Sequence, residues 1–135
     1  MCLPWPPSLN QYYRVYQGRI VICRAGRDFI TESLEDLKQQ VDAGMTRQLG
    51  HARVSCYVET HAPRRVTQTW YDLDNRLKAT LDVLQRAAII ENDSQIDDLR
   101  VVRGSQADPG DPGYVFIYLC ELSSHALEWS PRISR

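Results

Sequence analysis

The chain has 135 residues, which is the length of one domain and leaves no room for a second hydrophobic core. Hydrophobic residues make up 43% and charged residues 24% of the sequence, an ordinary globular composition. No apolar run approaches the roughly 20 residues of a membrane span, and no signal-peptide pattern opens the chain. We therefore expect a cytoplasmic protein without a membrane partner.

The four cysteines (Cys2, Cys23, Cys56 and Cys120) are scattered and form no CxxC or Cys/His cluster. This spacing argues against a zinc site or a redox motif. Cys56 and Cys120 lie inside apolar runs, so we expect both to be reduced, buried thiols.

Charge is unevenly distributed although the net charge is only −1. Residues 1–27 contain four arginines and no acid, whereas residues 72–111 contain nine acids and five bases. Of the 16 basic residues, 14 are arginine, the side chain best suited to bidentate contacts with phosphate. Binding to DNA through bulk positive charge alone would not give this pattern. An acidic metal pocket on an arginine-bearing surface would give this distribution of charge.

The first third of the chain predicts an extended segment, a hairpin and a helix. Prolines make residues 3–8 extended, because each fixes its own φ and moves its predecessor out of the α region. Residues 12–22 read as two short strands around Gln17 and Gly18, which have turn chemistry. From about Asp28 to Leu49 the apolar residues recur at steps of three and four, which predicts an amphipathic helix. Thr31 or Ser33 is its expected cap, and Gly44 is expected to end or bend it.

The remaining elements alternate between strand and helix. Alternation predicts a half-buried strand at residues 52–60, followed by a polar loop to residue 71. The later elements are a helix at about 73–88, a turn at 91–94, a strand near 99–103 and a closing strand at 114–122. The fold class is therefore α+β, a two-layer sandwich with a mixed or antiparallel sheet and helices on one face. Residues 123–135 show little periodicity and are expected to form a surface tail.

The most informative stretch for chemistry is the start of the second helix. Asp72 and Asp74 flank this start, and Lys78 lies four residues after Asp74 on the same helical face, beside the leucine stripe. Each residue also has an ordinary structural interpretation: an aspartate caps a helix, and an Asp–Lys pair forms a solvated ion pair. Asp93 likewise suits a turn. However, a helix start needs one capping oxygen, and two carboxylates there repel each other unless a cation separates them. Carboxylate oxygens are the ligands that a hard cation prefers, so a metal site is an alternative here to the capping and surface-pair interpretations.

Several segments together resemble the RusA family of Holliday junction resolvases from bacteria and prophages. They are Leu3-Pro4-Trp5-Pro6-Pro7-Ser8-Leu9-Asn10 with Tyr12-Tyr13-Arg14, then Asp72-Leu73-Asp74-Asn75 with Lys78 and Asp82, then Asn92-Asp93-Ser94-Gln95 with Asp97 and Arg100-Val101-Val102. Their order and spacing cover about residues 3–121. The resemblance implies a RusA-like endonuclease domain over residues 1–122.

The resemblance also implies a site and an activity. Asp72, Asp74 and Asp93 correspond to the family's metal-binding carboxylates, with Mg²⁺ as the expected ion and Mn²⁺ as a substitute, and Lys78 corresponds to its essential lysine. The implied enzyme is a homodimer that cuts four-way or branched DNA by paired symmetric nicks, without a small-molecule cofactor. Two alternatives remain open: a protein that binds junctions without cutting them, and a nuclease acting on flaps or RNA.

Candidate DNA contacts complete the prediction. We expect Arg14, Arg64 and Arg65 to bind phosphates, followed by Arg76 and Arg103. Aromatic side chains could stack on bases exposed at a branch point, and the candidates are Tyr12, Trp70, Trp5 and Tyr13. For Trp5 and Tyr13, packing in the core or an interface is an equal alternative.

Overall fold

The structure, a computed structural model, describes residues 1–64 and 71–122. Arg65, Trp70 and the expected tail at 123–135 lie outside these ranges. The strands are β1 (Cys2–Pro4), β2 (Tyr13–Tyr16), β3 (Arg19–Ile22), β4 (Val54–His61), β5 (Ile96–Arg103) and β6 (Tyr114–Glu121). The helices are α1 (Leu9–Tyr12), α2 (Arg24–Asp42) and α3 (Leu77–Arg86), with short 3₁₀ turns at Asp74–Arg76 and Asp93–Gln95.

Four of the strands form one mixed sheet in the order β1-β6-β4-β5. β4 and β5 are parallel, and β6 runs antiparallel to both β4 and β1. The strands β2 and β3 form a separate hairpin. This arrangement confirms the predicted α+β class and the mixed sheet.

Helices α2 and α3 cover one face of the sheet. Along β4 the side chains of Val54, Cys56 and Val58 are buried and join the core with Leu37 of α2 and Leu84 of α3. The opposite face is open, and among its side chains Phe116 is 41% and Tyr118 62% exposed. The two-layer interpretation is therefore confirmed, with helices on a single face.

The hairpin forms where its turn residues indicated. Gln17 and Gly18 adopt φ values of 49° and 73°, a left-handed pair that matches the twist of a two-residue hairpin.

The boundaries of α2 differ from the prediction. It begins at Arg24 with Cys23 as its cap residue, so Thr31 and Ser33 lie inside the helix. The predicted extension to Leu49 is wrong, because the helix ends at Asp42, just before Gly44 takes φ 72°.

The cysteine prediction is half right. Cys56 is buried, and its desolvation raises the pKa of the thiol to about 11. Cys120 is exposed, because it pairs with Ser55 and so lies on the open face of the sheet.

Within the described part of the chain, no helix is both long and apolar enough to cross a membrane.

Candidate active site

Contacts of the preceding residue place Asp72 close to the carboxyl ends of the parallel strands β4 and β5. The preceding residue, Tyr71, is buried, and its hydroxyl lies 2.7 Å from Oγ1 of Thr60 near the end of β4. Nη2 of Arg103, the last residue of β5, donates to the backbone oxygen of Tyr71 at 2.5 Å. Its guanidinium also lies 4.6 Å from the centre of the Tyr71 ring. Asp72 is thus positioned by contacts to both strands.

Asp74 and Lys78 lie at the head of α3, as predicted. Asp74 opens the 3₁₀ turn that leads into the helix, and Lys78 lies in the first helical turn. Asp72, Asp74 and Lys78 are all exposed. None of them has an ion pair or hydrogen bond from its side chain to another residue within the described ranges. With no partner among the described residues, the carboxylates can accept a hard cation, and neither of them caps the helix.

The turn that carries Asp93 is fixed by its neighbour Gln95. Gln95 is 4% exposed, and its Oε1 accepts from the backbone N–H groups of Glu91 and Asn92 at 2.7 and 2.8 Å. Its Nε2 donates to the backbone oxygens of Gly50 and Ala52 at 2.7 and 2.8 Å. The turn is thereby held against the segment that precedes β4.

Arg53 makes a second connection between the same two segments. Its guanidinium donates to the backbone oxygen of Ser94 at 2.9 Å and pairs with the carboxylate of Asp97. The hydrogen bond from Arg53 lowers the pKa of Asp97 below its ordinary value. Sequence reasoning missed Arg53 altogether. Gln95 was part of the quoted motif, but no role was assigned to it.

One chain does not bring the three predicted metal ligands together. Asp72 and Asp74 follow the carboxyl end of β4, whereas Asp93 precedes the amino end of the parallel strand β5. From Val54 to Thr60 a strand extends roughly 20 Å at about 3.3 Å per residue. In agreement, no group of three His, Cys, Asp or Glu side chains in the described ranges is arranged to hold a metal ion. The donor chemistry of Asp72 and Asp74 suits Mg²⁺, but the described residues of one chain do not supply a third carboxylate beside them.

Two of the predicted DNA contacts, Tyr12 and Arg76, are engaged by contacts within the protein. Tyr12 has 0% exposure, and its hydroxyl donates to the partly buried Asp82, so its ring is not available to a base. The guanidinium of Arg76 donates to the backbone oxygen of Pro6 at 2.8 Å and lies 5.0 Å from the centre of the Trp5 ring. Burial lowers the pKa of Arg76. These contacts could not be recognised from the sequence, because the partners of Tyr12 and Arg76 are distant along the chain.

The other candidates divide into packed and exposed side chains. Trp5 packs edge-on against Tyr71 with ring centres 5.4 Å apart, and Tyr13 packs edge-on against Tyr12 at 4.7 Å. Arg14 on the hairpin and Arg64 after β4 are exposed and available to phosphate. Arg103 is engaged with Tyr71, and Arg65 and Trp70 lie outside the described residues.

Comparison with known proteins identifies the family of this chain. The family model described as endodeoxyribonuclease RusA matches residues 4–111, which include Asp72, Asp74, Lys78 and Asp93. The chain belongs to the RusA family.

Individual RusA proteins match over most of this chain. The crossover junction endodeoxyribonuclease RusA of Shigella sonnei is 36% identical over 104 residues, 75% of this chain and 78% of that protein. That of Enterobacteria phage 82 is 37% identical over 102 residues, with the same coverage. The protein of Enterobacteria phage HK97 is 35% identical over 123 residues, 90% of this chain and 93% of its own length.

Proposed function

We propose that this RusA-family chain is an Mg²⁺-dependent endonuclease that resolves Holliday junctions by paired symmetric nicks. The supporting observation is the pair of exposed carboxylates of Asp72 and Asp74 beside Lys78, at the head of α3, which have no side-chain partner among residues 1–64 and 71–122, in a chain of this family. A protein that only bound DNA would gain nothing from free negative charge facing phosphate. Its DNA substrate gives the protein a cytoplasmic place of action.

The residues of the site have separate roles. A bound Mg²⁺, or Mn²⁺ in its place, supplies a Lewis acid and an activated water for phosphodiester hydrolysis. Asp72 and Asp74 are its proposed ligands in this part of the chain, and Asp93 is the third. Lys78 stabilises the negative charge that develops on the phosphate or orients the attacking water. Arg14 and Arg64 hold the DNA backbone.

A homodimer explains the paired nicks. A four-way junction is resolved by cutting two opposed strands, and a two-fold dimer presents two identical sites to them. The curated relatives are named for crossover junctions, which supports branched DNA as the substrate.

The test is cleavage of a panel of labelled substrates. Purified protein is incubated with a four-way junction, a flap, a linear duplex and an RNA hairpin, each with and without Mg²⁺. We expect symmetric nicks in the junction alone and only with the metal. Binding of the junction without nicks would indicate a protein that binds junctions but does not cut them. Preferential cleavage of flaps or RNA would indicate a different nuclease activity.

A charge-only substitution links the activity to the site. Asp74→Asn keeps the shape of the side chain and removes its charge, so we expect normal folding and junction binding with a loss of nicking by several orders of magnitude. Asp28→Asn is the matched control, because Asp28 is an exposed aspartate on α2, distant along the chain from the site. Normal nicking by Asp74→Asn would exclude Asp74 from the chemistry.

A further inference from the structure

We propose that the tip of the hairpin β2–β3, residues 15–20, is a wedge that enters the branch point of a DNA junction and packs against the base faces exposed there. The contact surface is the pair of apolar side chains Val15 and Ile20, here called the tip pair. This inference rests on the proposed nuclease function, and it names the element that distinguishes branched from linear DNA.

The tip pair consists of two apolar side chains that lie side by side in solvent. Val15 of β2 is paired directly with Ile20 of β3, so both side chains are on the same face of the hairpin. Val15 is 74% and Ile20 is 75% exposed. Single exposed apolar residues are ordinary on a protein surface. Two opposed ones that no described residue covers form a continuous apolar surface, which is typical of a binding site.

The root of the hairpin is fixed, in contrast to its free tip. Tyr13 and Ile22 lie on the same face as the tip pair and pack against the core. The backbone N–H of Cys23 donates to the backbone oxygen of Tyr12 at 2.8 Å and closes the hairpin. Gly26 of α2 lies so close that an added Cβ would be 2.7 Å from Cγ2 of Ile22. The tip pair therefore projects in a direction that the core determines.

The segment that carries the hairpin is attached to α3, next to the candidate active site. The backbone N–H of Leu9 donates to Oδ1 of Asn75, the residue after Asp74, at 3.1 Å. The hydroxyl of Tyr12, the residue before β2, donates to Asp82 of α3. Nucleic acid bound at the head of α3 would therefore lie beside the root of the hairpin.

The opposite face of the hairpin is basic and aromatic, which favours nucleic acid as the partner. Arg14 and Arg19 are exposed on this face, and Tyr16 is paired with Arg19. The Arg14 guanidinium lies 5.6 Å from the centre of the Tyr16 ring. No acid occurs in residues 1–27. The charge around the tip pair is thus complementary to a phosphate backbone.

The cost of unstacking bases favours the branch point over a regular duplex. An apolar side chain that enters a duplex must separate two stacked base pairs, which costs roughly a few kcal/mol per step. At a branch point the last base pair of an arm can lack a stacking neighbour, so less stacking has to be broken. The tip pair would then cover a base face that otherwise contacts water. Such a contact selects branched DNA without reading its sequence.

A shape-matched double variant tests the contact. Val15→Thr with Ile20→Thr keeps the branched Cβ that strands favour and adds two hydroxyls, which are costly to bury against bases. Without Mg²⁺, we expect its affinity for a four-way junction to fall at least about 10-fold and its affinity for a linear duplex to stay within about twofold. Met45→Thr is the matched control, because Met45 is 71% exposed in the segment after α2. An unchanged junction affinity, or an equal loss on both DNAs, would overturn the wedge.

Two further variants separate apolar contact from charge. Val15→Ile with Ile20→Val exchanges the two side chains and keeps their apolar volume, so junction affinity should stay at the wild-type value. Arg19→Ala should weaken binding to junction and duplex by the same factor, because a phosphate contact does not depend on branching. A loss of affinity in the exchanged variant, or a loss confined to the junction in Arg19→Ala, would contradict the role of the tip pair.

Base unstacking can be observed directly. A junction that carries 2-aminopurine at the branch point becomes more fluorescent when that base is unstacked. Saturating wild-type protein should raise the fluorescence, and the saturating threonine double variant should raise it less. The same probe in the middle of an arm is the control and should not respond. Equal increases with the two proteins would show that the tip pair does not unstack the base.

Sedimentation tests the competing occupant of the tip pair, a second copy of this chain. The threonine double variant should sediment like the wild-type protein in the absence of DNA. A changed sedimentation coefficient would assign the tip pair to a contact between copies, and the wedge would be wrong.

Failure of the wedge and failure of the proposed function are distinguishable. If the wild-type protein with Mg²⁺ cuts junctions and the threonine double variant keeps full selectivity, the wedge fails and the nuclease function stands. If the wild-type protein cuts nothing, the proposed function fails, and the affinity and fluorescence measurements still decide whether the hairpin enters a branch point.

Discussion

Nη2 of Arg103 donates to the backbone oxygen of Tyr71 at 2.5 Å, which joins the last residue of β5 to the residue before Asp72. The same guanidinium lies against the Tyr71 ring. A proposed metal ligand is therefore positioned by an arginine whose charge is already engaged in the protein. Arg103 therefore has a structural role in holding the approach to Asp72.

Removing this contact should loosen Asp72. For Arg103→Ala we expect cleavage to fall about 10- to 100-fold and the Mg²⁺ concentration for half-maximal rate to rise, as for other residues that orient metal ligands. Single-turnover cleavage across a Mg²⁺ titration measures both. Arg24→Ala, at an exposed arginine on α2, is the control. A wild-type Mg²⁺ dependence in Arg103→Ala would remove Arg103 from this role.

Gln95 should contribute chiefly to stability. Gln95→Ala leaves the backbone oxygens of Gly50 and Ala52 without their donor, and we expect the free energy of unfolding to fall by about 1–3 kcal/mol. Urea denaturation followed by circular dichroism measures the loss. The exposed Gln48→Ala should be nearly neutral. Equal stability of the two variants would contradict the assigned role of Gln95.

The exposed arginines should determine affinity for DNA. Arg14→Ala and Arg64→Ala should each weaken junction binding and reduce the slope of log affinity against log salt by about 1, because one phosphate contact is lost. Titrations of a labelled junction at several salt concentrations without Mg²⁺ measure this slope. An unchanged slope would mean that the substituted arginine does not contact phosphate.

Tyr12→Phe provides the contrast for those two variants. It removes the hydroxyl that donates to the partly buried Asp82, so it should lower the free energy of unfolding by about 1 kcal/mol. Junction affinity and the salt slope should stay at wild-type values, because the ring has 0% exposure.

Lys78→Ala tests whether Lys78 stabilises charge during cleavage or helps to form the Mg²⁺ site. Lys78 has no ion-pair partner within the described ranges, so its removal should leave Mg²⁺ affinity nearly intact while cleavage slows. The cleavage rate at saturating Mg²⁺ and a calorimetric Mg²⁺ titration distinguish the two quantities. A large loss of Mg²⁺ affinity would instead assign Lys78 to building the site.

Acid should remove the stability that Glu59 contributes. The Tyr57 hydroxyl at 2.6 Å and Nε2 of His61 at 2.7 Å hydrogen-bond its carboxylate and lower its pKa below the ordinary 4.5. Because the folded pKa is the lower one, the contribution is present above about pH 4.5 and disappears as the pH falls through the folded pKa. The difference in unfolding free energy between wild type and Glu59→Gln should therefore shrink on acidification. A difference that is constant between pH 7 and pH 3 would contradict this.

Local patterns in the sequence were sufficient for several elements. Gln17-Gly18 predicted the hairpin, and the alternation of Val54, Cys56 and Val58 predicted β4 and the face that it buries. The position of Asp74 and Lys78 at the start of α3 was also predicted. Each of these depends on residues within a few positions of one another, where backbone preference and side-chain periodicity act directly.

Contacts between distant segments decided the rest. The sequence predicted that Tyr12 stacks on bases, but its hydroxyl donates to Asp82 within the protein. The sequence also predicted that Cys120 is buried, but its pairing with Ser55 places it on the open face of the sheet. The separation of Asp93 from Asp74 follows from the parallel pairing of β4 and β5. The sequence shows which residues are acidic. Whether two of them lie at the same end of the sheet depends on the relative direction of neighbouring strands, which is fixed only when the sheet assembles.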